Sequence, residues 1–390
     1  MTTSTLEVGD IIRAYGDEYR NKYKLPRRHL RALRDIASCR TAALGGHMDR
    51  CNECGHERIS YNSCRNRHCP KCGSLAKEKW LSTRRKELLP VPYFHIVFTI
   101  PAELNALTLV NQDTVYRMLF QSAAETLLCL GRDPKRLGAE IGLIAILHTW
   151  GQNLMDHPHL HCIVPGGGLS KDGTQWIGSR KKFFIPVHVL SHVFRGKFLE
   201  RLKKMYNDGR LKCVGKIKAF ESRKEFQKLF DHLFRKGWVV YAKQPFGGPE
   251  QVLAYLGRYT HRVAVSNHRL VKMTDGTVSF RWRDYADGNK EKLMTVEACE
   301  FIRRFLLHVL PDGLCKIRYY GFLSNRNRKH QLERCRLLLD IAMPTEDPAP
   351  VSWQDTLLNL TGIDIRICPS CQKGRMQRYR LIKPLTHAPP

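Results

Sequence analysis

HPHLHCIVPGGG, residues 157–168, sets three histidines at alternate positions ahead of an apolar run and three glycines. A strand repeats every two residues, so reading 159–164 as a strand turns His159 and His161 to one face and Leu160 and Cys162 to the other. Pro158 cannot donate to a sheet ladder and is expected to mark the strand's start, which leaves His157 outside the pair. Two imidazoles on one face can chelate a divalent ion. With 17 His in 390 residues, however, a His-x-His spacing arises about once by chance. A pair facing solvent on a sheet is the plain alternative.

The flanking segments set the fold class. VPYFHIVFTI, residues 91–100, is rich in aromatic and β-branched residues and reads as a buried strand. A long helix is expected from 102 to 130, strands at 141–150 and 238–243, a helix from Pro249 to Thr260, and later strands within RVAVS, TVSFRWRDY and CKIRYYGF. Strands mixed with long helices indicate an α+β fold, with helices packed on an antiparallel sheet. Before this unit, residues 5–38 read as helical with a break at Pro26, and LAKEKWLSTRRKELLP as a basic helix closed by Pro90. PTEDPAP, residues 344–350, reads as a linker. The expected segments are therefore 1–90, 91–325 and a C-terminal extension, 326–390.

Lys and Arg outnumber Asp and Glu by 65 to 36, for a formal charge of +29 spread along the chain. Such a surface suits a polyanion. No stretch approaches the roughly 18 apolar residues of a membrane-spanning helix, and MTTSTLEVGD lacks the basic and apolar regions of a secretory signal, so a cytoplasmic location is expected.

In that setting, 14 cysteines point to metal ligands rather than disulfides. Cys51/Cys54 and Cys69/Cys72 form two CxxC knuckles 14 residues apart, a spacing suited to one tetrahedral structural zinc. Cys39, Cys64, His47, His56 and His68 are spare donors. Cys368 and Cys371 form half a knuckle with no second pair nearby. Arg65 and Arg67 belong to a dense basic group around the cluster, fit for DNA phosphates or simply solvated.

On the helix after Pro249, Tyr255 and Tyr259 are four residues apart and share a face. Among 14 Tyr this spacing too arises about once by chance, and Tyr15, Tyr19 and Tyr23 repeat it on an early helix. Arg258, Arg262 and Arg269 lie close enough in sequence to hold phosphates.

Together, the HLH pair, AYLGRYTHR and an upstream module containing CRNRHCPKC resemble the rolling-circle transposases of bacterial insertion sequences. The likeness is to the insertion sequence 91 family within the two-tyrosine HUH nucleases, and it covers about residues 10–325. The resemblance implies a ferredoxin-like core whose central strands present His159 and His161 opposite the tyrosine helix. It also implies catalysis by Tyr255 and Tyr259 through a 5′-phosphotyrosine, with magnesium or manganese held by the His pair and a third ligand. Gln152, Asp156 and His148 are near enough to supply that ligand, and Gln152 is the preferred choice. Expected partners are single-stranded DNA at element ends, target DNA and a host helicase, since no GxxxxGK[ST] loop is present. A non-catalytic zinc-ribbon regulator explains the charge and the cysteines but not the paired motifs. A plasmid replication initiator or relaxase would share the chemistry. A hydrolase built on His188 and His192 lacks the Glu such a site requires.

Overall fold

The computed structural model describes residues 6–179, 185–243, 251, 252, 255, 257, 264–285, 287–342 and 352–385. In chain order its elements begin with α1 (Val8–Lys22), α2 (Arg27–Ala37), β1 (Gly46–Cys51), β2 (Glu57–Tyr61), α3 (Gly73–Arg85) and β3 (Tyr93–Thr99). There follow α4 (Asn105–Val110), α5 (Gln112–Arg132), β4 (Gly142–Trp150), β5 (Asp156–Pro165), β6 (Gly167–Leu169), β7 (Trp176–Gly178), α6 (Val187–Asn207), α7 (Arg223–Arg235) and β8 (Val240–Lys243). The last are β9 (Leu270–Thr274), β10 (Thr277–Asp284), β11 (Lys290–Glu297), α8 (Ala298–Leu307), β12 (Ile317–Gly321), α9 (Arg328–Leu338), α10 (Trp353–Thr361) and β13 (Met376–Ile382).

The main sheet has the order β12-β4-β5-β3-β8, with every neighbouring pair antiparallel. Its kernel is β3-α5-β4-β5-α6/α7-β8, a βαββαβ unit of the ferredoxin-like kind, and β12 extends one edge. The fold is therefore α+β, as the sequence led one to expect. Alternation divides this sheet cleanly. Phe94, Ile96, Phe98, Leu143, Ala145, Leu147, Leu160, Cys162 and Val164 pack into the core beneath α5, α6 and α7. Tyr93, Ile144, Ile146 and Ile163 face the opposite side, against Leu89, Val252, Phe322 and Leu332. Rings of Phe98, Phe194, Phe198 and Trp238 meet at 4.8–6.1 Å. Each such buried ring stabilises by about 1.5–3 kcal/mol, enough to hold the strands in this register against a one-residue slip.

Three local features differ from expectation. Pro158 lies inside β5, not at its start. His148 pairs with His159 and Trp150 with Asp156, so two residues of β5 oppose the single Thr149, and the proline occupies this bulge where its missing N–H breaks no ladder bond. The helix expected over 102–130 is interrupted at Asn111 (φ −119°, ψ 38°), whose side chain bonds the Leu107 and Lys212 carbonyls. The C-terminal segment is not a separate extension: β13 pairs with β1, which pairs with β2, joining the two ends of the chain in one sheet.

The boundary expected at residue 90 also separates residues that share a core. Val8, Ile11, Leu33, Ile36, Cys39 and Cys69 pack with Phe280, Phe301, Ile302 and Phe305 of the β9-β10-β11 sheet and α8. The amphipathic faces of α1 and α2 are thus buried against a segment some 260 residues later. No described helix is long and apolar enough to cross a membrane.

Candidate metal and nucleophile site

Pleating places His95, His148, His159 and His161 on the face of the main sheet opposite α5. His148 stands directly across from His159, and His161 is opposite Ile146 on one side and Val97 on the other. One ring nitrogen each from His148, His159 and His161 lies within 4.8 Å of the other two. His159 Nδ1 is 2.6 Å from the His157 carbonyl, which fixes the proton there and turns Nε2 toward the group. His161 Nδ1 is 2.8 Å from Nε2 of the buried His95, the two rings being stacked within 7° of parallel. Trp150 stacks on His148 with centroids 4.7 Å apart. Burial holds His159 down to about 4 and His161 well below the ordinary histidine value, so these imidazoles are neutral at pH 7 and present lone pairs rather than protons.

The structure brings His148, not the expected Gln152, to the His159–His161 pair. Gln152 sits in the hairpin loop beyond the Trp150–Asp156 pair, where its side-chain amide donates to the Tyr285 hydroxyl at 3.0 Å. Arg269, expected near phosphate, instead donates to the Gln152 and Arg281 carbonyls. Strand period and register single out His148 over its neighbours, because it alone of the three candidates lies across the ladder on the histidine face. Asp156 lies outside the group, with neither carboxylate oxygen hydrogen-bonded among the described residues.

Tyr255 lies in a helical stretch against the same face. Its ring centroid is 4.8 Å from that of His95 and 6.4 Å from that of His161. Val252, one turn earlier, is buried among the apolar residues of that face and helps seat the helix. Tyr259, Arg258 and Arg262 lie outside the described residues. His95 was missed in the sequence, because it joins the group only through the β3 register, which sets it two residues before Val97, the residue opposite His161. Lys316, at the β12 end, places Nζ 4.9 Å from the Trp150 ring, and burial, reinforced by Arg67, lowers it to about 7.

The cysteines form two groups of four rather than one. Cys39, Cys64, Cys69 and Cys72 converge with Sγ–Sγ contacts of 3.5–3.6 Å. Cys51 and Cys54 converge instead with Cys368 and Cys371. The expected Cys51/Cys54/Cys69/Cys72 set is therefore replaced, because β1 carries its knuckle toward β13 while Cys69 and Cys72 face the end of α2. His47, His56 and His68 belong to neither group. His68 instead accepts a hydrogen bond from the Leu310 amide at 3.1 Å. Arg67 donates to the carbonyls of Leu310, Pro311 and Leu314, which gives it a structural task in place of the expected DNA contact. Arg65 remains exposed beside the first cysteine group.

Residues 142–331 match the family model "Putative transposase", and residues 11–100 match "Transposase zinc-binding domain". The chain is 52% identical to "Putative transposase y4qJ" of Sinorhizobium fredii, over all of this chain and 98% of that protein. It is 27% identical to "Transposase for insertion sequence element IS801" of Pseudomonas savastanoi pv. phaseolicola, over 80% of this chain and 74% of that one. Among solved structures it aligns with "Conjugative Relaxase TrwC in complex with mutant OriT Dna" at a TM-score of 0.24 and 15% identity, over 42% of this chain and 71% of that one.

Proposed function

This chain belongs to the insertion sequence 91 family of transposases, and from that premise we propose that it cuts and rejoins single-stranded DNA through a covalent tyrosine intermediate. The observation that carries this reading is the placement of Tyr255 against the His95–His161 pair, beside three convergent imidazoles. The donor set fits a divalent ion. Three neutral nitrogens suit manganese better than magnesium, which prefers oxygen. Bound by His148, His159 and His161, such an ion would supply Lewis-acid polarisation of a phosphate and orientation of its oxygens.

The residues do the rest. The Tyr255 phenol gives up its proton and its oxygen attacks phosphorus. The P–O3′ bond breaks, the departing 3′ oxygen takes a proton, and the 5′-phosphate stays on the tyrosine. Attack by a 3′-hydroxyl reverses these steps, so the phosphodiester energy is retained without a nucleotide cofactor. Tyr259, on the same helical face by sequence, provides a second acceptor, which suits transfer of one strand from donor to target in rolling-circle transposition. Arg65, Arg258 and Arg262 contact the DNA backbone. Cys39, Cys64, Cys69 and Cys72 hold a structural zinc. Strand separation falls to a host helicase, and the reaction takes place on DNA in the cytoplasm.

Labelled single-stranded oligonucleotides carrying element ends, incubated with the protein and manganese, should yield a protein–DNA adduct that survives denaturation. The Tyr255→Phe/Tyr259→Phe double variant should lose it. His148→Ala/His159→Ala should lose cleavage while still shifting the same DNA in a gel. An adduct formed by the double tyrosine variant overturns the mechanism, and cleavage with the triad removed overturns the metal's part in it.

A further inference from the structure

We propose that Cys51, Cys54, Cys368 and Cys371 hold a second zinc ion, completing a zinc ribbon whose two knuckles come from opposite ends of the chain. Geometry is the first reason. A tetrahedron with Zn–S bonds of about 2.3 Å has sulfur–sulfur edges of about 3.8 Å. The facing contacts, Cys51–Cys371 and Cys54–Cys368, are both 3.7 Å, and all four sulfurs lie within 4.8 Å of one another. A disulfide needs about 2.05 Å.

The two knuckles are also built alike. In the first, the Cys51 amide donates to the His56 carbonyl and the Gly55 amide to the Cys51 carbonyl. In the second, the Cys368 amide donates to the Gly374 carbonyl and the Gln372 amide to the Cys368 carbonyl. The residue after each second cysteine, Gly55 or Gln372, has a left-handed φ of 71° or 58°. Each knuckle turns an amide onto one of its sulfurs: Glu53 onto Cys51 at 3.4 Å and Gly374 onto Cys371 at 3.3 Å. Such bonds are stronger to a thiolate than to a neutral thiol, so they favour the ligand form of the sulfur. The knuckles then interlock. Asn52 and Arg375 exchange bonds of 3.1 Å and 2.7 Å, and a Cβ at Gly374 would collide with the Cys51 sulfur. β13 follows directly and completes the sheet with β1 and β2.

Four thiolates in a tetrahedron select zinc or iron, and the proposal commits to zinc. Its consequence is that the last strand is fastened to the first by metal, across a chain separation of 314–320 residues.

The test uses the full-length protein and does not depend on activity. In zinc-replete protein, brief alkylation followed by peptide mass spectrometry should leave Cys51, Cys54, Cys368 and Cys371 unmodified. Chelator should expose all four, while Cys129 and Cys315, outside both groups, react throughout. By elemental analysis, Cys368→Ser/Cys371→Ser should lose one zinc per chain relative to the unmodified protein and retain the ion of the Cys39 group. Should that variant fail to fold, the alkylation pattern of the natural chain still decides. Free reaction of these four thiols before chelation, a Cys51–Cys371 or Cys54–Cys368 disulfide-linked peptide, or iron in place of the lost zinc would each overturn the proposal.

Discussion

His95 sits behind the triad, with its Nε2 2.8 Å from Nδ1 of His161 and its ring against Tyr255. When the Nε2 of an imidazole serves a metal, its other nitrogen must carry the proton and needs a fixed acceptor, and removing such an acceptor commonly costs about 10- to 100-fold in metal affinity or activity. His95→Ala is therefore expected to raise the manganese concentration for half-maximal cleavage by about that factor, with the adduct still on the same tyrosine. His95→Gln, which restores an acceptor, should recover part of the loss. A single-turnover manganese titration checks this, and an unchanged metal requirement would refute the positioning role. A second residue reports through pH. Burial alone pushes the Asp156 carboxyl from 3.8 up to about 7. A carboxyl with a raised native value favours folding at low pH and loses that contribution as pH rises from about 4 to 7. Asp156→Asn cannot ionise, so its melting temperature should exceed that of the natural chain at pH 8, and the gap should close only as pH falls below about 4. A gap independent of pH would mean that the carboxyl is not neutral in the folded chain.

At the scale of elements, strands and their faces were the most legible part. VPYFHIVFTI, the 141–150 run and HLHCIV all become strands of the main sheet, because apolar alternation has a period that only one face can satisfy. The same periodicity put His159 and His161 on one face without any structure. What the sequence did not convey is which strand lies beside which. His148 and His95 become neighbours of the pair only through the β4 and β3 registers, and pairing across 66 residues leaves no local mark. The cysteine sets failed for the same reason. Nearest-neighbour spacing joined Cys51/Cys54 to Cys69/Cys72, whereas β1–β13 pairing brings in a partner more than 300 residues away. β13 itself was unreadable as a strand, since MQRYRLI is exposed along most of its length and owes its place to ladder bonds rather than to an apolar stripe.

Across the whole molecule, the zinc-binding N-terminal region and the main-sheet core are joined by shared buried contacts. Cys39 and Cys69 are themselves buried with Phe280, Phe301 and Phe305. Arg67 and His68, which flank the first cysteine group, bond the backbone at Leu310, Pro311 and Leu314, and Leu310 and Leu314 belong to the core under α5 and α6. Arg28 of α2 reaches Gln112 of α5 at 2.9 Å. Zinc binding contributes folding free energy because the site exists only in the folded chain, so stripping it weakens every contact that depends on the loop from Cys64 to Cys72. An independently folded module would melt first and leave the transition of the main-sheet core where it was. A shared core couples the two, and by linkage the loss of a ligand bound only by the native state lowers the midpoint of the joint transition. Calorimetry of the zinc-replete chain should therefore show the N-terminal region and the main-sheet core unfolding together. A strong chelator at equilibrium should shift that transition down as a unit, with the near-ultraviolet signal of the core tryptophan Trp238 following it. A chelator-sensitive low-temperature step beside an unmoved main transition would show instead that the first 90 residues fold on their own, and that the burial of α1 and α2 against α8 adds little to the main-sheet core.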